Sequence, residues 1–85
     1  MMEVDTHLLP PPRTTDDELM AALLQIRRLD MAAALALVRR ALPDVTSFEL
    51  ADSASRLHRR GMIRIAEQLT SLQGEVIRTA ILTLP

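Results

Sequence analysis

Eighty-five residues with a formal net charge of −1 make one small domain and provide no global basic field to gather nucleic acid. Apolar residues form 48% of the chain, which supports a core and excludes wholesale disorder; Phe48 is the single aromatic, so that core is aliphatic. The absence of cysteine excludes disulfides, thiolate zinc sites and iron–sulfur clusters.

Residues 1–14 read as a flexible N-terminal arm, and residues 15–85 as one folded domain. Pro10, Pro11 and Pro12 favour an extended polyproline II path and cannot sit inside a packed helix. The opening "MMEVDTHLLPPPR" has neither the basic nor the apolar stretch of a secretory leader. No apolar run in the sequence approaches the roughly 20 residues that a membrane helix needs. The expected setting is the cytoplasm, with no membrane partner. All basic residues are arginine, and lysine and asparagine are absent. Together with the abundance of alanine and leucine, this points to a GC-rich bacterial genome.

"TDDEL" opens the first predicted helix, with Thr15 as N-cap and Glu18 completing a capping box. Asp16 and Asp17 suit the positive end of the helix dipole. Leu19, Met20, Leu23, Leu24 and Ile26 form a wide apolar stripe, and Arg27 and Arg28 close the helix. A second helix begins at Asp30 and runs through "MAAALALVRRAL" until Pro43 stops it. Met31, Ala34, Leu35, Val38 and Leu42 recur along it at helical spacing. The third helix starts behind Thr46, which forms a capping box with Glu49; Val45 and Leu50 match a hydrophobic staple. Leu50, Ala54 and Leu57 face the core, and Gly61 is placed as the left-handed stop.

After Gly61 the hydrophobic period changes from helical to alternating. "MIRIAEQLT" and "EVIRTAILTL" read as two strands joined by the turn "SLQG". That turn would pair Leu69 with Val76, Glu67 with Arg78, Ile65 with Ala80 and Ile63 with Leu82. The expected fold class is therefore α+β and mainly helical: three helices followed by a C-terminal β-hairpin.

This order of elements resembles the winged helix-turn-helix fold. The sharpest local match is "LHRRGMI", Leu57 to Ile63, which is similar to the Leu-x-x-x-Gly-hydrophobic-hydrophobic end of the recognition helix in MarR-type regulators. The resemblance implies that the third helix enters the major groove of double-stranded DNA and that the hairpin touches the backbone or minor groove. It makes Ser47, Asp52, Ser53, Ser55, Arg56 and Arg59 the exposed positions of that helix. Arg56 would read a guanine, and Arg59, Arg60 and Arg64 would contact phosphates. Thr46 and Ser47 would meet phosphate at the helix start.

The arginines have a second account. Pairs close each predicted helix (Arg27–Arg28, Arg39–Arg40, Arg59–Arg60) while acids gather near the starts. The helix macrodipole favours that arrangement by roughly 0.3–1 kcal/mol per charge. Glu49 and Asp52 lie in the first turns of the third helix, and the hairpin tip "TSLQGE" has no basic residue.

Two distant histidines, His7 and His58, do not make a metal site, and only Gly61 and Gly74 are available for a phosphate-cradling loop. No nucleophile–base–orienter set is present. A non-enzymatic protein without cofactors is expected. The first helix and the second strand carry more apolar surface than so small a domain covers, which implies a homodimer or another protein partner. Two functions follow: a small dimeric winged-helix transcriptional regulator, or a non-catalytic winged-helix module that binds protein within a larger complex.

Overall fold

The computed structural model describes residues 13–85. The expected N-terminal arm, with Pro10–Pro12 and His7, lies outside the described residues apart from Arg13 and Thr14. Helix α1 (Thr15–Gln25) starts one residue earlier than expected. Thr14 is its N-cap: the Thr14 hydroxyl accepts from the Asp17 backbone N–H at 3.1 Å, and the Thr14 N–H donates to the Asp17 carboxylate at 3.3 Å. The shifted box frees Glu18 to pair with Arg13 and Asp16 to face another helix. Leu19, Ala22 and Leu23 are the buried stripe. Leu24 and Ile26 are exposed, contrary to the wide stripe expected. Leu24 lies off the inward face, and Ile26 has already left the helix in an extended conformation.

The helix ends at Gln25, so Arg27 and Arg28 do not close it. Arg28 instead opens strand β1 (Arg28–Asp30), which the sequence reading did not contain. Asp30 then caps α2 (Met31–Val38), its carboxylate accepting from the Ala33 N–H at 2.7 Å. Helix α2 stops well short of Pro43. Arg40 and Ala41 donate to carbonyls three residues back, which tightens the backbone into turns. Leu42 precedes a proline, which disfavours helical geometry there. The Arg39 guanidinium donates to the Val45 carbonyl at 2.9 Å and ties this turn down.

Helix α3 (Ser47–Arg59) follows expectation at both ends. The Thr46 hydroxyl accepts from the Glu49 N–H at 3.1 Å, while the Thr46 N–H donates to the Glu49 carboxylate at 2.8 Å. Val45 and Leu50 are both buried beside that cap. At the other end Gly61 has φ of +74°, Met62 N–H donates to the Leu57 carbonyl and Gly61 N–H to that of His58. These two bonds make a Schellman stop.

Strands β2 (Arg64–Leu72) and β3 (Glu75–Thr83) form a hairpin, and β1 adds to the far edge of β3. The result is a three-stranded antiparallel sheet in the order β1-β3-β2, rather than the two strands expected. The turn is the two residues Gln73 and Gly74, both at positive φ (52° and 83°), not the four residues of "SLQG". Such a tight turn matches the right-handed strand twist. It moves the register by two residues: Leu69 faces Arg78, Glu67 faces Ala80 and Ile65 faces Leu82. Because the shift is even, every side chain keeps its expected face. Glu67 and Arg78 become diagonal neighbours instead of a direct pair.

The core lies between the helices and one face of the sheet. Leu19, Leu23, Leu50 and Leu57 from the helices meet Leu29, Ile63 and Leu82 from the sheet side, with Ala34, Val38 and Ala54 filling between. The distal hairpin runs beyond this core, leaving Leu69, Leu72, Val76 and Ile77 exposed.

A Cβ on Gly61 would meet no heavy atom within 4 Å, so the backbone alone requires glycine. Gly61→Ala should cost about 1 kcal/mol, the penalty of a left-handed L-residue. Urea denaturation that shows no loss for this variant would contradict the assignment of the helix stop.

Candidate nucleic-acid interface

Helix α3 turns about 100° per residue. Its buried side chains are Leu50, Ser53, Ala54 and Leu57. The opposite line is Phe48, Asp52, Ser55 and Arg59, all exposed. The outward face of α3 therefore carries one arginine, one aspartate, a hydroxyl and an aromatic ring. Phe48 is 82% exposed, which the sequence reading did not anticipate. The signal was available, since Phe48 stands across the helix from the Leu50–Ala54–Leu57 stripe.

The structure separates the residues grouped by resemblance. Ser47 is exposed on the first turn of α3. Thr46 is exposed, but its hydroxyl and amide are committed to the capping box. Ser53 is fully buried and so is not among the exposed positions, contrary to expectation. It lies under the start of α1, and its hydroxyl donates to the Asp16 carboxylate. Arg56 is held by the same carboxylate: its Nη2 donates to Asp16 Oδ1 at 2.8 Å and its Nε to Oδ2 at 3.4 Å. Arg59 and Arg60 stand exposed at the helix end. The ion pairs among the described residues are Arg13–Glu18 and Asp16–Arg56, so neither Arg59 nor Arg60 is neutralised by an acid in contact. Arg64 pairs with Thr83 and alternates with the inward Ile63 and Ile65, so it projects from the sheet face opposite the helices.

The helix-dipole account of the arginines holds only for α3. The last turn of α3 carries Arg56, His58 and Arg59, whereas the last turns of α1 and α2 carry no basic residue. His58 sits at the rim, with Nδ1 3.3 Å from the Ile63 carbonyl oxygen.

Asp16 is the residue whose role the sequence concealed, because an acidic first turn reads as dipole compensation. In the fold it joins α1 to α3. The hydrogen-bonded Arg56 guanidinium is the main influence holding its carboxyl below the ordinary value of 3.8, against the opposing push of burial. The Ser53 hydroxyl and the charges of Arg56 and Arg60 lower it further. Beside this clamp runs an open cleft of about 650 Å³ between the start of α1, the α2–α3 turn and α3. Arg13, Asp44 and Glu49 join Asp16 and Arg56 in lining it, so it carries both signs of charge. Among the described residues no three histidine, aspartate or glutamate side chains group as metal ligands.

Comparison with protein-family models, with curated proteins and with solved structures gives no match.

The lowered carboxyl fixes a pH dependence. Folded Asp16 binds a proton less readily than unfolded Asp16, so its contribution is complete above the ordinary carboxylate value. It is lost as pH falls through the lowered folded-state value. Asp16→Asn should therefore be less stable than the parent near neutral pH, with the gap closing in acid; a gap independent of pH would contradict the clamp. Ser53→Ala, which removes one of the two donors to Asp16 Oδ1, should cost about 1 kcal/mol in urea denaturation.

Proposed function

We propose that the chain is a small winged-helix-type DNA-binding protein acting as a dimeric transcriptional regulator, with α3 presented to the duplex. The observation that carries this reading is the C-terminal end of α3. Arg59 and Arg60 stand exposed there, in no ion pair among the described residues, on a helix whose inward face is fully committed to the core. The succession of α2, a tight turn, α3 and a hairpin is the order of elements that a winged helix uses. Ser47 and Ser55 supply hydroxyls along the same exposed side. Arg56 spends its guanidinium on Asp16, so its part is to orient α3 rather than to read a base.

Two exposed acids of α3 oppose phosphate, Glu49 in the first turn and Asp52 on the outward line, and Asp52, whose carboxylate caps nothing, gives the test its sign. Titration of a labelled mixed-sequence duplex should show an affinity that falls steeply with salt, through counterion release. Arg59→Ala and Arg60→Ala should each weaken binding and reduce the salt slope by about 0.9. Asp52→Asn should tighten it. Absence of duplex binding even at low salt would overturn the DNA reading.

The alternative is a non-catalytic protein-interaction module. The distal hairpin favours it: the tip residues Leu72 and Val76 are exposed and Glu75 is its only charge. Loss of the duplex signal with the fold intact would leave this alternative standing.

A further inference from the structure

The helices cover one face of the three-stranded sheet; on the other face Ile81 is buried at the base while the distal part of the hairpin is exposed. Residue pairing fixes what that outer face carries. At its base lie Arg28, Thr83 and Arg64 side by side across the three strands. The next layer holds Asp30, Ile81 and Ala66, then come Thr79 with Gln68, Ile77 with Thr70, and finally Glu75 with Leu72 at the tip. Arg28 donates to Gln68 across this face at 3.1 Å, which lays its side chain over the central strand beside Ile81. Ile77 and Leu72, further out, remain exposed.

The charges along this face are arranged in opposition. Arg28 and Arg64 stand at the base, Asp30 lies in the next layer with its carboxylate committed to the α2 cap, and Glu75 stands at the tip; none of the four belongs to an ion pair of the described residues. The layers are symmetric in count about Gln68 and Thr79. A second copy laid antiparallel across that centre sets each Glu75 over the partner's Thr83, between Arg28 and Arg64. Ile77 falls over the partner's Arg28 stem, which lies beside the buried Ile81, and Leu72 over the stem of its Arg64. The two sheets need only the usual separation of about 10 Å. The helices, on the far side of each sheet, do not obstruct the approach. A lone two-stranded ribbon is also marginal in water and gains from a cover.

We propose that the outer face of the sheet is a two-fold interface with a second copy of this chain, locked by Glu75 of each copy against Arg28 and Arg64 of the other. The contact is isologous, so every pair occurs twice. The interface does not involve the outward face of α3 and does not depend on what α3 binds. It removes Arg64 from the set available to phosphate.

The test is sedimentation equilibrium of the full chain without nucleic acid. The parent should be a dimer that weakens as salt rises. Glu75→Arg should weaken association about tenfold or more, because it sets like charges together at two symmetric places. Adding Arg28→Glu and Arg64→Glu to that variant should restore the dimer, since both members of each Glu75 pair are then reversed together. Ile77→Ser, checked for an unchanged circular dichroism spectrum, should weaken it without altering the salt dependence. A parent that is monomeric at every concentration would overturn the proposal. A dimer indifferent to both Glu75→Arg and Ile77→Ser would do the same, as would a folded triple reversal that stays dissociated. Duplex binding by α3 is measured separately, so either idea can fail alone.

Discussion

The placement of α3 depends on one carboxylate. Asp16, in the first turn of α1, accepts from buried Ser53 and from the guanidinium of Arg56, both on α3. The aliphatic core brings the two helices together but is indifferent to small rotations of either. A fully buried hydroxyl is not indifferent, because leaving it or its acceptor unpaired would cost the desolvation of a polar group. The contact therefore fixes which side of α3 points outward, and with it the line of Phe48, Asp52, Ser55 and Arg59. It also sorts the arginines: Arg56 serves the fold, while Arg59 and Arg60 remain exposed for a partner.

Local features of this fold were legible in the sequence, and relations between distant residues were not. The capping box of Thr46 and Glu49, the staple of Val45 and Leu50 and the stop at Gly61 are settled within a few residues, and they were read correctly. The same locality misplaced the start of α1. Thr14 and Thr15 offer nearly equal caps, and the choice of Thr14 positions Asp16 toward Ser53, 37 residues away. Strand β1 has only three residues, too few for an alternating pattern, and exists because Leu29 pairs with Leu82. The hairpin register turned on whether Gln73 would accept a positive φ beside Gly74. Parity survived the two-residue shift, so each side chain kept its expected face while the charge pairing changed.

The candidate site was legible to a lesser degree. Exposure of Ser47, Arg59 and Arg60 follows from helical spacing alone. The burial of Ser53 does not, because a serine between Asp52 and Ala54 reads as a solvent position until the start of α1 covers it. Arg64 was grouped with the helix arginines by its nearness in sequence. Strand alternation turns it to the opposite side of the sheet. The surface thus divides into two areas of different chemistry: a helix face ending in exposed arginines, and a sheet face with Arg28 and Arg64 at its base and Glu75 at its tip.

Amide hydrogen exchange along the chain, followed with and without a short duplex at low salt, tests that division most directly. The account predicts that the duplex slows exchange in the C-terminal half of α3 and at its stop, while the sheet amides respond to protein concentration and not to the duplex. Slowing confined to the sheet, or no change at the end of α3 under conditions where the duplex is bound, would contradict it.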